Sequence, residues 1–142
     1  MNKTHETMQI QLLNRLDELE RLAAAMDQLG KDWGIPANYI MELNLAVEEL
    51  FTNIVFYAYD DQEKHEIEIL FEHPETGCVL ITLSDDGKAF NPMENPTADN
   101  LVKSLEEREI GGLGIHLARK MVSHIEYKRL DGRNILLLTR NF

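Results

Sequence analysis

The chain has 142 residues, the size of one ordinary domain, and its 44% hydrophobic and 27% charged content suffices for a packed core. A formal net charge of −11 argues against a general nucleic-acid binder, because such a surface repels phosphate backbones, yet it leaves room for a local site that takes a small phosphate ligand. A single cysteine, Cys78, excludes a disulfide within the chain, and no apolar run approaches the roughly 20 residues that span a bilayer.

In chain order, residues 8–13, "MQIQLL", alternate and read as an edge strand. Asn14 is placed to cap a helix over about 15–33, in which Leu16, Leu19, Leu22, Ala23 and Met26 recur at helical spacing. Trp33 and Ile35 are expected to pack this helix onto the next. Pro36 suits the first turn of a second helix, about 36–59, whose later half is apolar almost all round and therefore buried. Residues 65–72 alternate as a strand, and 78–84 form a more apolar one that buries the Cys78 thiol. "HPETG" joins them as a hairpin. A long polar stretch with two prolines follows, of the kind that forms lids or binding loops. A helix over about 113–123 comes next, and a terminal hairpin turns at Asp131-Gly132. The N-terminus lacks a signal peptide's apolar segment, so a soluble, cytoplasmic protein is expected. The element order predicts an α+β fold in one domain, a two-layer α/β sandwich with helices on one face of a mixed, mostly antiparallel sheet.

Three constellations bear on chemistry. Glu49 and Asn53 lie four apart in the apolar helix and share a face. A buried amide needs a partner, and its carbonyl oxygen suits Mg²⁺, with the carboxylate one turn earlier placed to act as a base. The same pair is compatible with an Asn that caps a loop beside a solvated Glu. In "SDDGKAF", Asp85 at a strand end can accept from an exocyclic amine, and Gly87 would let a flat base approach the backbone. An ordinary Asp-Gly turn is the plainer reading. Finally, "GGLG", residues 111–114, opens a helix with the residues least suited to one. The N–H groups at a helix start bind phosphate, and glycine leaves them accessible. A hinge or a close packing contact is the alternative. In this order, the three read as a nucleotide site with a lid.

The motifs resemble those of the GHKL (Bergerat-fold) ATPase superfamily, HATPase_c: "EELFTN" its N box, "DDGKAF" its first glycine box and "GGLGIHLARKMV" its second. The likeness covers essentially residues 1–142. Within that superfamily, "LAVEELFTNIVFYAY" is similar to the signature of the bacterial anti-sigma factor serine kinases of the RsbW/SpoIIAB type. The resemblance implies that Asn53 coordinates Mg²⁺, Glu49 is the catalytic base, Asp85 holds the adenine amino group and Gly87 lies beneath the ring. Gly112, Leu113 and Gly114 would meet the phosphates, and residues 91–110 would be an ATP lid carrying Arg108. It further implies ATP or ADP as ligand and phosphorylation of a serine on a STAS-domain anti-anti-sigma partner. Sequestration of a sigma factor and a homodimer are implied too, with neither direct nucleic acid nor membrane contact. The chain departs from the family in having Tyr57 where histidine is common and Gly132-Arg133 where Gly-Thr is usual. The alternative is a nucleotide-gated binding module of the same fold without turnover, for which Glu49 would not be needed.

Overall fold

A computed structural model of the protein describes residues 5–94 and 118–142. Its elements are β1 (Glu6–Leu13), a 3-10 turn (Leu16–Glu18), α1 (Leu19–Trp33), α2 (Ala37–Tyr57), β2 (Glu66–Glu75), β3 (Cys78–Asp85), a second 3-10 turn (Pro92–Glu94), β4 (His124–Leu130) and β5 (Arg133–Asn141). Residues 118–121 are helical, the end of the helix expected after the glycines. The start of that helix lies outside the described residues.

The strands form one sheet in the order β1-β2-β3-β5-β4, and every neighbouring pair is antiparallel. β3 and β4 therefore run the same way without touching, because β5 lies between them. The long connection after β3 is thus a crossover that creates no parallel pair, and β1 is an edge strand as expected. Asp131 and Gly132, at φ 51° and 77°, make the tight turn between β4 and β5 that requires two left-handed residues.

Period-2 alternation sends one side of the sheet into the core: Ile67, Ile69 and Phe71 from β2, Val79, Ile81 and Leu83 from β3, Leu136 and Leu138 from β5. Against it pack Leu22, Met26 and Leu29 of α1 and Leu43, Val47, Leu50 and Ile54 of α2, at helical spacing. The same alternation carries Asp85 and Asn134 onto this inner face, where each is almost fully buried.

Three local expectations change. Asn14 does not cap α1; its backbone N–H donates to the His65 carbonyl (3.0 Å) and its Oδ1 accepts from the His65 N–H (2.9 Å), tying the end of β1 to the start of β2. The helical region begins instead with the 3-10 turn, where the Glu18 carboxylate accepts the Leu13 N–H at 2.8 Å. Trp33 stacks on His73 of β2, ring centroids 5.3 Å apart, so it also joins α1 to the sheet. β2 runs on to Glu75 through a register shift, which absorbs much of the expected loop. Cys78, the first residue of β3, is only half-buried.

Candidate functional site

Asn53 lies on the buried side of α2 and is 3% exposed, and its Oδ1 has no hydrogen-bond partner among the described residues. Leaving such an oxygen unsatisfied costs about 1–3 kcal/mol, and Asn44 Oδ1 of the same helix is in the same position among the described residues. The Asn53 donor is a neutral, hard amide oxygen, which fits Mg²⁺, an ion that completes its shell with phosphate oxygens and water. One helical turn earlier, Glu49 is half-buried, and burial, reinforced by the neighbouring Glu48 charge, raises its pKa. A carboxylate held toward neutrality in this way is a better proton acceptor once ionised.

The second part is built where β3 ends. The inner-face register puts Asp85 directly opposite Asn134 of β5. Asp85 Oδ1 accepts from the Gly87 N–H and from Asn134 Nδ2, both at 2.9 Å. Among the described residues these two bonds both end on Oδ1 and leave Oδ2 outside them. Burial pushes the Asp85 carboxyl above the usual range, and the bonds from Asn134 and Gly87 oppose that shift.

Asn134 is the functional residue that motif reading missed. Its Nδ2 also donates to the Lys88 carbonyl (2.8 Å), and its Oδ1 accepts from the Phe90 N–H (3.1 Å), the Tyr127 hydroxyl (2.6 Å) and Arg129 Nη1 (3.1 Å). One amide therefore fixes both Asp85 and the chain that leaves it. The available signal was a polar residue at an inward position of an otherwise apolar strand. Arg133, which occupies the position where a hydroxyl was expected, faces the other side of the sheet, with its Nε donating to Ser84 Oγ at 2.9 Å.

Gly87 has a packing reason to be glycine. A Cβ there would sit 2.4 Å from the Ala58 carbonyl oxygen and 2.6 Å from the Ala58 side chain. The Lys88 N–H donates to that same carbonyl at 2.8 Å, and Tyr57 stacks on Phe90 at 5.6 Å. The end of the helix that carries Glu49 and Asn53 is thereby seated on the loop that follows Asp85. Of the other expected site residues, Arg108, Gly112, Leu113 and Gly114 lie outside the described residues, as does the expected lid beyond Glu94. Past them, Arg140 donates to the Met121 carbonyl and pairs with Glu42 of α2 at 2.7 Å. A cation at this helix end suits its dipole, and it ties the last turn to α2.

The chain matches the Histidine kinase-like ATPase domain family over residues 12–140. It is 30% identical over 97 residues to the serine/threonine-protein kinase BtrW of Bordetella bronchiseptica, an alignment covering 68% of this chain and 67% of that protein. It is 28% identical over 104 residues to the serine-protein kinase RsbW of Bacillus velezensis, covering 69% of this chain and 62% of that protein, somewhat under two thirds of its length. Its fold is similar to the histidine kinase domain of a blue-light activated histidine kinase from Erythrobacter litoralis, with a TM-score of 0.56 at 16% identity over 89% of this chain and 60% of that one. With most of its length matched by one family and a helix-on-sheet fold to go with it, the chain belongs to the histidine kinase-like, GHKL-type ATPase domains.

Proposed function

We propose that this protein binds ATP with Mg²⁺ and transfers the γ-phosphoryl group to a serine of a STAS-domain anti-anti-sigma protein, and that it sequesters a sigma factor as a homodimer. The observation that carries the reading is the buried Asn53 Oδ1, which has no hydrogen-bond partner among the described residues and lies one turn after a half-buried Glu49. The likeness to two bacterial serine-protein kinases supports the serine-kinase activity.

In this scheme Asp85 Oδ2 accepts from the adenine amine, and Asn134 and Gly87 hold the carboxylate in place. Asn53 Oδ1 would hold the Mg²⁺ ion, which when bound offsets the charge of the phosphates. The N–H groups of Gly112, Leu113 and Gly114 would meet phosphate oxygens at the helix start, with Arg108 arriving from the lid. Glu49, ionised, would accept the seryl proton as the seryl oxygen forms its bond to the γ-phosphorus and the bond to the ADP oxygen breaks. Phosphoryl transfer of this kind depends mainly on positioning and charge stabilisation, which is what a rigid α2 seated on the β3 exit supplies.

The test is incubation with Mg-ATP and a STAS-domain protein, with phosphoserine read by mass spectrometry. Glu49→Gln should bind ATP normally and transfer nothing. ATP binding without transfer by the native protein would instead favour a nucleotide-gated binding module. Transfer that survives Glu49→Gln removes Glu49 as the base.

A further inference from the structure

The connection from α2 to β2, "AYDDQEKH" (residues 58–65), is polar enough to be an ordinary solvent loop. Instead it folds back over the residues that follow Asp85. Lys88 Nζ pairs with Asp60 Oδ1 at 2.9 Å. Tyr59 donates its hydroxyl to Asp86 Oδ1 at 3.3 Å and stacks on the His65 ring, centroids 4.2 Å apart and planes within 14°. His65 Nε2 lies 2.9 and 3.1 Å from the two Asp61 oxygens, and its Nδ1 lies 3.3 Å from Asp86 Oδ1. The His65 backbone is clamped on both sides by Asn14.

Both ring nitrogens of His65 thus face carboxylates, which are acceptors only. A neutral imidazole has one N–H and can satisfy one of them; the imidazolium satisfies both. We infer that the His65 imidazolium is a positioning residue for the nucleotide site: by bridging Asp61 and Asp86 it straps the end of α2, with Glu49 and Asn53, to the exit of β3, with Asp85 and Gly87. This rests on the ATP reading above. The groups around the ring are Asp61 and Tyr59 of its own connection, Asp86 from the end of β3 and the Asn14 amide from the end of β1. The Arg133 charge also acts on Tyr59 and Asp85.

The hydrogen bond from Asp61 raises the His65 pKa, burial opposes the rise, and Asp86 adds to it. A raised histidine pKa means the bridge is complete below the ordinary value and is lost as pH rises through the raised one. Asp61 and Asp86 are 51% and 48% exposed, so solvent screens each pair, and the expected effect on nucleotide affinity is roughly three- to fivefold.

The experiment measures Mg-ADP affinity by calorimetry from about pH 5.5 to about pH 8.5 while the His65 ring is titrated by NMR. At each pH, native protein is compared with His65→Gln, so the nucleotide's own titration cancels in the ratio. The ratio should be roughly three- to fivefold at the acid end and fall to one at the alkaline end, with the midpoint of the His65 titration. His65→Arg, a permanent cation with donors on both sides, should keep the tighter binding at every pH. If His65→Gln fails to fold, Asp86→Asn provides the same comparison. A ratio that is one throughout, or that does not change with pH, overturns the inference and leaves the ATP reading intact. Native protein that binds no nucleotide at any pH overturns both.

Discussion

Asp85→Asn should change which base the site accepts without unfolding the protein. Asp85 Oδ1 takes N–H bonds from Gly87 and Asn134, each 2.9 Å long. An asparagine has one oxygen, and that oxygen must stand at the Oδ1 position, because an NH₂ there would face two donors. The NH₂ therefore replaces Oδ2, and an acceptor for an exocyclic amine becomes a donor that confronts it. Losing a charge-assisted bond and leaving opposed donors unpaired costs about 2–4 kcal/mol, or roughly 30- to 1,000-fold in ATP affinity. A base with a carbonyl at that position is accepted instead, so inosine triphosphate should gain on ATP by a comparable factor. Stability should hold or rise, because the carboxylate is 2% exposed and burial already pushes its pKa up. The sign follows: a raised carboxyl pKa means that the folded state tolerates the ionised form less well than the unfolded chain does, so a neutral side chain relieves the fold above that pKa. Calorimetric titrations with both nucleotides, beside urea unfolding, decide the matter. A variant that keeps native ATP affinity with unchanged discrimination refutes the assignment of Oδ2 to the base.

Asn53→Leu keeps the branching of the side chain but removes the partnerless oxygen; nucleotide-free protein should hold its stability or gain on the order of 1 kcal/mol, while the Mg²⁺-dependent part of ATP affinity disappears. Thermal unfolding with and without Mg-ATP reads both effects, and a loss above about 2 kcal/mol without ligand would mean that Oδ1 has a structural partner. Gly87→Ala drives a methyl group to 2.4 Å from the Ala58 carbonyl oxygen and should cost about 1–3 kcal/mol, seen as a lower urea midpoint; an unchanged midpoint would deny the close approach. Because burial raises the Glu49 pKa and a base must be ionised, the rate of phosphoryl transfer at saturating ATP should rise as pH climbs through that raised value and level off above it. A rate flat across that range would remove Glu49 from the proton transfer.

Much of the candidate site was legible because its parts are local. Glu49 and Asn53 share a face simply because they are four apart in a helix, and the apolar residues around them mark that face as buried. Asp131-Gly132 makes its turn wherever it occurs, since both residues accept positive φ. The hairpin between β2 and β3 and the edge position of β1 followed from alternation and length.

Other features depended on which distant segments meet. Alternation alone does not say that β5 inserts between β3 and β4, and only that insertion brings Asn134 opposite Asp85 across the 49 residues that separate them. Asn14 has the residue type of a helix cap, but the His65 backbone, 51 residues away, offers its side-chain oxygen the stronger use. That Gly87 also sits against the Ala58 carbonyl could not be read from the turn motif alone. Helices, strands and turns were legible because their periods and turn preferences act over a few residues. The tertiary structure alone decided how those elements are held together, because hydrogen bonds and packing contacts between segments tens of residues apart exist only once the chain has closed.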